Sequence, residues 1–197
     1  IESLLQTSGR KIQKVRGNGD CLLSSVVLGC AAIGIDLCAE HGLKAAHASC
    51  LREFMTGWIR SHRQQLFDLT GGDDTWRGDF AKPKKRAREG THRLTLDECL
   101  DLFADAEQRK WDIPWGPPAE GSAALNLCDS MPQLVAAALN LRIVLVKAHS
   151  PPEIVGARNQ WGELVVGSSR EIMLVQSLRL DHWDAAIAVK SVDAARP

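Results

Sequence analysis

Helix-like text comes first in this chain and strand-like text last, and that order limits its fold more than any other feature. Of the apolar runs near the end, Arg142 to Lys147, Glu163 to Val166, Glu171 to Gln176 and Asp184 to Lys190, only the first follows a helical segment directly. Regular strand–helix alternation, the mark of a doubly wound parallel sheet, is therefore not the pattern, and an α+β or mixed architecture is expected. The 197 residues suit one compact domain and leave little room for two.

The first element read from the sequence is a short alternating stretch, Ile12 to Val15, which leads into the turn-forming cluster Gly17, Asn18, Gly19 and Asp20. A helix is predicted to start at Cys21 and to turn Leu22, Leu23, Val26 and Val27 inward. Ala39 to Phe67 reads as a longer helical region, with Leu43, Ala46, Cys50, Phe54, Trp58 and Ile59 at helical spacing and with Gly42 and Gly57 as points of interruption. The polar, glycine-rich text of 70–93, which carries the basic cluster Lys82 to Arg88, is expected to be an exposed loop or insertion. Two pairs at capping-box spacing, Thr95 with Glu98 and Ser130 with Gln133, mark two later helix starts; Leu96, Cys99, Leu100 and Phe103 would face inward from the first. Pro132 fits the first turn of the second, where its missing N–H has no helical partner to lose.

Chemistry concentrates at two distant places. A thiol is a good nucleophile near neutral pH when its thiolate is stabilised, as at a helix N-terminus beside an imidazolium, and Cys21 is placed at such a helix start. The glycine turn before it can aim backbone N–H groups at one point. Asn18, Gly19 and Asp20, with the N–H of Cys21 itself, are thus candidates for an oxyanion hole. Near the other end stands Asp181-His182-Trp183-Asp184 before the apolar run Ala185 to Val189. In an extended strand His182 and Asp184 share one side while Trp183 faces the other, so the carboxylate can orient the imidazole and leave its second nitrogen to accept a proton from Cys21. Each piece taken alone also has a plain structural reading: a small buried cysteine after a turn, and a His-x-Asp pair in a strand.

The segments taken together are more specific. GNGDCLLSS (Gly17 to Ser25) resembles the nucleophile motif of the ovarian tumour (OTU) deubiquitinases, in which an Asp-Gly-Asn-Cys-like sequence precedes a hydrophobic pair. HWDAAIAV (His182 to Val189) resembles that family's C-terminal motif of His, an aromatic, Asp or Asn, and an apolar strand. Between them, Trp115-Gly116 and Met131 to Val146 resemble the family's Trp-Gly landmark, helix and central strand. The resemblance implies a papain-like fold with a mixed β-sheet flanked by helices, as a single peptidase domain over residues 1–197; the start at Ile1 without methionine or a basic-then-apolar leader suggests a domain cut from a longer protein. It implies Cys21 as nucleophile, His182 as base, Asp184 as orienting acid and Trp183 as an aromatic lining the channel for the ubiquitin tail. The implied partner is ubiquitin or polyubiquitin, with no metal or cofactor, and the implied address is the cytoplasm, or the host cytoplasm for a viral or secreted effector. The sequence departs from the family at two positions: Asn18 stands where Asp is usual, and Asp20 where Asn often stands. Two alternatives remain at this point: a viral or effector protease acting on a polyprotein or a ubiquitin-like modifier, and a ubiquitin-binding module without catalysis.

Other functions find less support. Lys and Arg total 24, as do Asp and Glu, so no global field draws the chain to nucleic acid or an anionic membrane, and neither is an expected partner. The run Pro83 to Arg88 resembles a nuclear import signal, which leaves nuclear entry through Lys82 to Arg88 open, but its simpler reading is a solvated loop. Leu22 occupies the third glycine position of a GxGxxG loop and no Gly-Lys-Ser follows, so nucleotide binding is set aside. Cys38, His41, His47 and Cys50 have spacings seen among zinc ligands, but one helix would rarely close a tetrahedral cage around them. The six cysteines form no CxxC pair and sit in apolar, helix-like text, which favours free thiols.

Overall fold

A computed structural model describes residues 1–17, 19–62, 96–105, 127–148, 150–156, 167–176 and 182–189. Its elements in chain order are α1 (Glu2–Thr7), β1 (Arg10–Gln13), α2 (Cys21–Ala32), α3 (Leu37–His41), α4 (Ala48–Ser61), α5 (Leu96–Ala104), α6 (Leu127–Ala138), β2 (Arg142–Val146), β3 (Glu153–Gly156), a short 3₁₀ turn (Ser168–Arg170), β4 (Glu171–Gln176) and β5 (Trp183–Ala188). The strands form one sheet in the order β1-β5-β4-β2-β3. β2 and β4 run parallel, while β1–β5, β4–β5 and β2–β3 are antiparallel. The architecture is therefore α+β with a mixed sheet and flanking helices, as the order of the sequence segments predicts.

Both faces of the central strands are covered, which explains their unbroken apolar text. Ile143, Leu145, Ile172 and Leu174 face the main core with α2, α4, α5 and α6. Val144, Val146, Met173 and Val175 face a smaller cluster closed by Leu5 of α1. α2 lies on the sheet under β4 and β5, and the helix is buried along most of its length, with Leu23, Val26 and Cys30 wholly enclosed. One contact sets how closely it lies. A β-carbon added at Gly29 would stand 3.0 Å from the Ile172 β-carbon on β4, so this glycine lets helix and strand backbones approach.

Several expectations are corrected. The helical region read over 39–67 is two helices in its described part, which ends at residue 62. α3 ends where Gly42 takes a left-handed φ of 68°, and α4 begins after His47, whose ring nitrogen accepts the Ser49 N–H. The inward face of α4 is Ala48, Leu51, Arg52, Met55, Thr56 and Ile59, whereas Cys50, Phe54 and Trp58 are half-buried at its margin. The helix at Ser130 starts three residues earlier, at Leu127, so Ser130 is not its cap and Pro132 lies inside it. There it removes one i→i−4 hydrogen bond from the helix. α1 and β3 were not expected from the sequence. The Thr95 capping position, Trp115-Gly116, Glu163 to Val166 and the 70–93 segment lie outside the described residues.

Gly29→Ala tests the close α2–β4 contact. The added methyl meets an inner atom of a central strand, which cannot swing aside, so a destabilisation of about 1–3 kcal/mol is expected from overpacking. Urea unfolding with an unchanged m-value would measure it, and a neutral result would mean that the helix shifts freely on the sheet.

Candidate active site

α2 begins at Cys21, and β5 begins one residue after His182. Helix and strand are joined directly: Ser25 Oγ donates to the Trp183 carbonyl at 3.1 Å. The two distant sequence segments thus meet. Gly17, Gly19, Cys21, His182 and Asp184 line one open cavity of about 1280 Å³ that extends past Lys14 toward α1.

The position of Asp184 follows from sheet register. Gln13, the last residue of β1, pairs with Ala185, so Lys14 and Val15 leave the sheet beside Asp184. The carboxylate is 2% exposed and accepts three hydrogen bonds. Lys14 Nζ donates to Oδ2 at 2.7 Å, the Val15 N–H to Oδ1 at 3.0 Å, and His182 Nε2 to Oδ1 at 3.1 Å. Burial pushes this carboxyl group up, but the donors, led by Lys14 and followed by Val15 and His182, outweigh it and hold Asp184 below its ordinary value.

Because an ionised carboxylate accepts only, His182 Nε2 is the nitrogen assigned the proton, and Nδ1 keeps a lone pair. That nitrogen faces the glycine loop leading into Cys21: a β-carbon at Gly17 would stand 3.5 Å from it. Cys21 is 8% exposed at the cavity wall. Burial pushes its thiol above the ordinary value; the N–H groups of Trp183, Leu22 and Cys21 itself offset part of this, and the Asp184 charge adds to it. The raised thiol favours the protonated form of Cys21 at rest. A protonated thiol of this kind becomes a nucleophile when a neighbouring base accepts its proton as attack begins.

The other expected site residues separate. Gly19 lies on the cavity wall with a left-handed φ of 81°, a backbone position that a side chain would strain. Asp20 precedes α2 but its side chain does not cap the helix; it accepts from Arg52, whose Nε stands 3.1 Å from Oδ1. Asn18 is outside the described residues. Trp183 belongs to the main core and is 8% exposed. Strand alternation places it opposite His182 and Asp184. Lys14, Val15 and Arg52 were not singled out from sequence, since a lysine, a valine and an arginine carry no local signal of a partner so far along the chain. Among the described residues no group of three or more His, Cys, Asp or Glu could hold a metal ion; Cys38 and His41 lie on α3, while His47 and Cys50 belong to the start of α4.

Solved structures similar over most of this chain include two OTU domains. The OTU domain of OTUD1 superposes with a TM-score of 0.51 at 17% identity, covering 94% of this chain and 91% of that one. An OTU deubiquitinase from Wolbachia pipientis wMel, solved bound to ubiquitin, superposes with a TM-score of 0.50 at 13% identity, covering 92% of this chain and 97% of that one. No protein-family model matches the sequence, and no curated protein matches it. At such identities the likeness is one of fold, and the fold is that of the OTU domains.

A protonated resting thiol has a measurable consequence. Alkylation of Cys21 by iodoacetamide, followed on its own peptide by mass spectrometry, is expected to accelerate steadily from about pH 7 to pH 10. A rate already flat below about pH 7 would indicate a preformed thiolate–imidazolium pair and overturn this description.

Proposed function

We propose that this chain, which has the fold of the OTU domains, is a thiol-dependent deubiquitinase that hydrolyses isopeptide bonds at the C-terminal glycine of ubiquitin. The observation that carries the reading is the meeting, at one cavity, of a cysteine at a helix N-terminus with a histidine whose far nitrogen is held by a buried carboxylate. The ubiquitin-bound state of the Wolbachia relative supports the choice of substrate.

In the proposed reaction Cys21 Sγ attacks the glycine carbonyl as its proton passes to His182 Nδ1, and the carbonyl oxygen takes up negative charge beside backbone N–H groups of the Gly19–Cys21 turn. The C–N bond then breaks as the lysine amine takes the proton from His182, leaving a thioester on Cys21. Water attacks the thioester, gives a proton to His182, and releases ubiquitin with a free carboxylate while the proton returns to sulfur. Asp184 orients the imidazole throughout and stabilises the imidazolium formed in each half. No step requires a metal or cofactor.

The test uses ubiquitin bearing a C-terminal electrophile, with wild type and Cys21→Ala. Capture by wild type alone is expected. Binding without capture would indicate a ubiquitin-binding module, and absence of any interaction would point to another substrate. Asp184→Asn should lower kcat by at least about tenfold, and up to about 10⁴-fold, while ubiquitin affinity changes little, because the group orients rather than binds. A loss confined to affinity would contradict that role.

A further inference from the structure

Arg52 is among the largest fully buried side chains of the described residues, at 2% exposure, and it lies on the inward face of α4. Its guanidinium stacks on the Phe103 ring, 4.4 Å from the centroid, and Nη1 donates to the Phe103 carbonyl at 2.7 Å. The rest of the fork reaches the turn before the nucleophile. Nη2 donates to the Gly19 carbonyl at 3.0 Å, and Nε and Nη2 both donate to Asp20 Oδ1. Arg52 approaches from the side away from the active-site cavity: Gly19 and Cys21 line that cavity, and Arg52 does not.

Peptide planarity gives this contact a consequence. In a trans peptide the C=O and the following N–H point in opposite directions. With the Gly19 carbonyl anchored on Arg52, the plane of the Gly19–Asp20 peptide is fixed, and with it the turn that delivers the Cys21 N–H to the cavity. The geometry points to Arg52 as a positioning residue for the oxyanion hole, acting through the Gly19–Asp20 peptide and held in turn by Phe103 of α5; this inference rests on the peptidase reading above. Lysine cannot replace it, because one ammonium cannot reach a carbonyl, a carboxylate and a second carbonyl across the plane of a ring.

The experiment compares wild type with Arg52→Lys on ubiquitin carrying a C-terminal fluorogenic amide. In parallel, binding is measured for free ubiquitin and for ubiquitin aldehyde, whose hemithioacetal with Cys21 places an oxygen in the hole. Arg52→Lys is expected to lower kcat by about 10- to 100-fold, to weaken the aldehyde by a similar factor, and to leave KM and free-ubiquitin affinity within about twofold. Unchanged kcat, or parallel losses of free ubiquitin and aldehyde, overturns the inference. If Arg52→Lys fails to fold, Asp20→Asn carries the test, since it keeps the side-chain shape and the Gly19 contact while removing the charge that holds the fork; the same selective loss, smaller in size, is expected. A wild type that does not turn over ubiquitin removes both the functional reading and this one, whereas an active wild type with a fully active Arg52→Lys removes this one alone.

Discussion

The Asp184 carboxylate is the point at which sheet and site depend on each other. A buried carboxylate without donors would cost several kcal/mol, and it would protonate rather than remain charged. Here it receives Lys14, the Val15 N–H and His182, one from each group of atoms that must be fixed for the cavity to exist. The main-chain donor pins the exit of β1 from the sheet, and the imidazole donor fixes the ring. The depressed pKa gives the sign of the linkage: the carboxylate contributes stability above the ordinary pKa of an aspartate, and that contribution is lost as pH falls through the lower folded value. Sheet edge and ring orientation should therefore loosen together in acid.

Lys14 also limits how strongly Asp184 acts on its neighbours. The carboxylate raises the Cys21 thiol and attracts an imidazolium, and a lysine 2.7 Å away moderates both effects. Its side chain is largely exposed, so water and salt weaken the pair, whereas the Val15 and His182 contacts are shielded. A thiol with a raised pKa yields less thiolate but a more nucleophilic one, since sulfur nucleophilicity rises with basicity. In the proposed reaction this arrangement favours proton transfer coupled to attack over a stored ion pair, and a buried thiol is less reactive toward adventitious oxidants than a thiolate.

How much of this was legible in the sequence follows from the range of the forces involved. The start of α2 at Cys21, the three apolar strands Arg142–Val146, Glu171–Gln176 and Trp183–Ala188, and the shared side of His182 and Asp184 are set by local turn chemistry and strand alternation, and those can be read directly. α1 and β3, at six and four residues, are too short to show a period. The face of α4 was misjudged because Arg52 interrupts an apolar stripe. Leu51, Met55 and Ile59 gain about 1.5–3 kcal/mol each on burial, enough to take a fully bonded arginine inward with them. Trp183 shows the reverse. Alternation along β5 assigns its side chain to the face opposite His182 and Asp184, and it lies in the main core.

The unusual order of the residues before Cys21 has a physical explanation in the Arg52 contact. A carboxylate at Asp20, immediately before the nucleophile, would oppose thiolate formation if it were free to act, although it would favour the helix macrodipole. Arg52 binds that carboxylate from behind and places an opposite charge within hydrogen-bonding distance, so its field on Cys21 is largely cancelled. The two charges are then matched. A neutral residue at position 20 would leave a buried guanidinium without its counter-charge, and a neutral residue at position 52 would leave an uncompensated acid beside the sulfur. Either single change costs more than the exchange of both, because the penalty lies in the charge left alone and not in the attraction lost. On this argument Asp20 is no misplaced catalytic acid. It is the half of a buried ion pair that lets α4 hold the turn in front of Cys21, while the carboxylate that serves His182 comes from the opposite end of the chain.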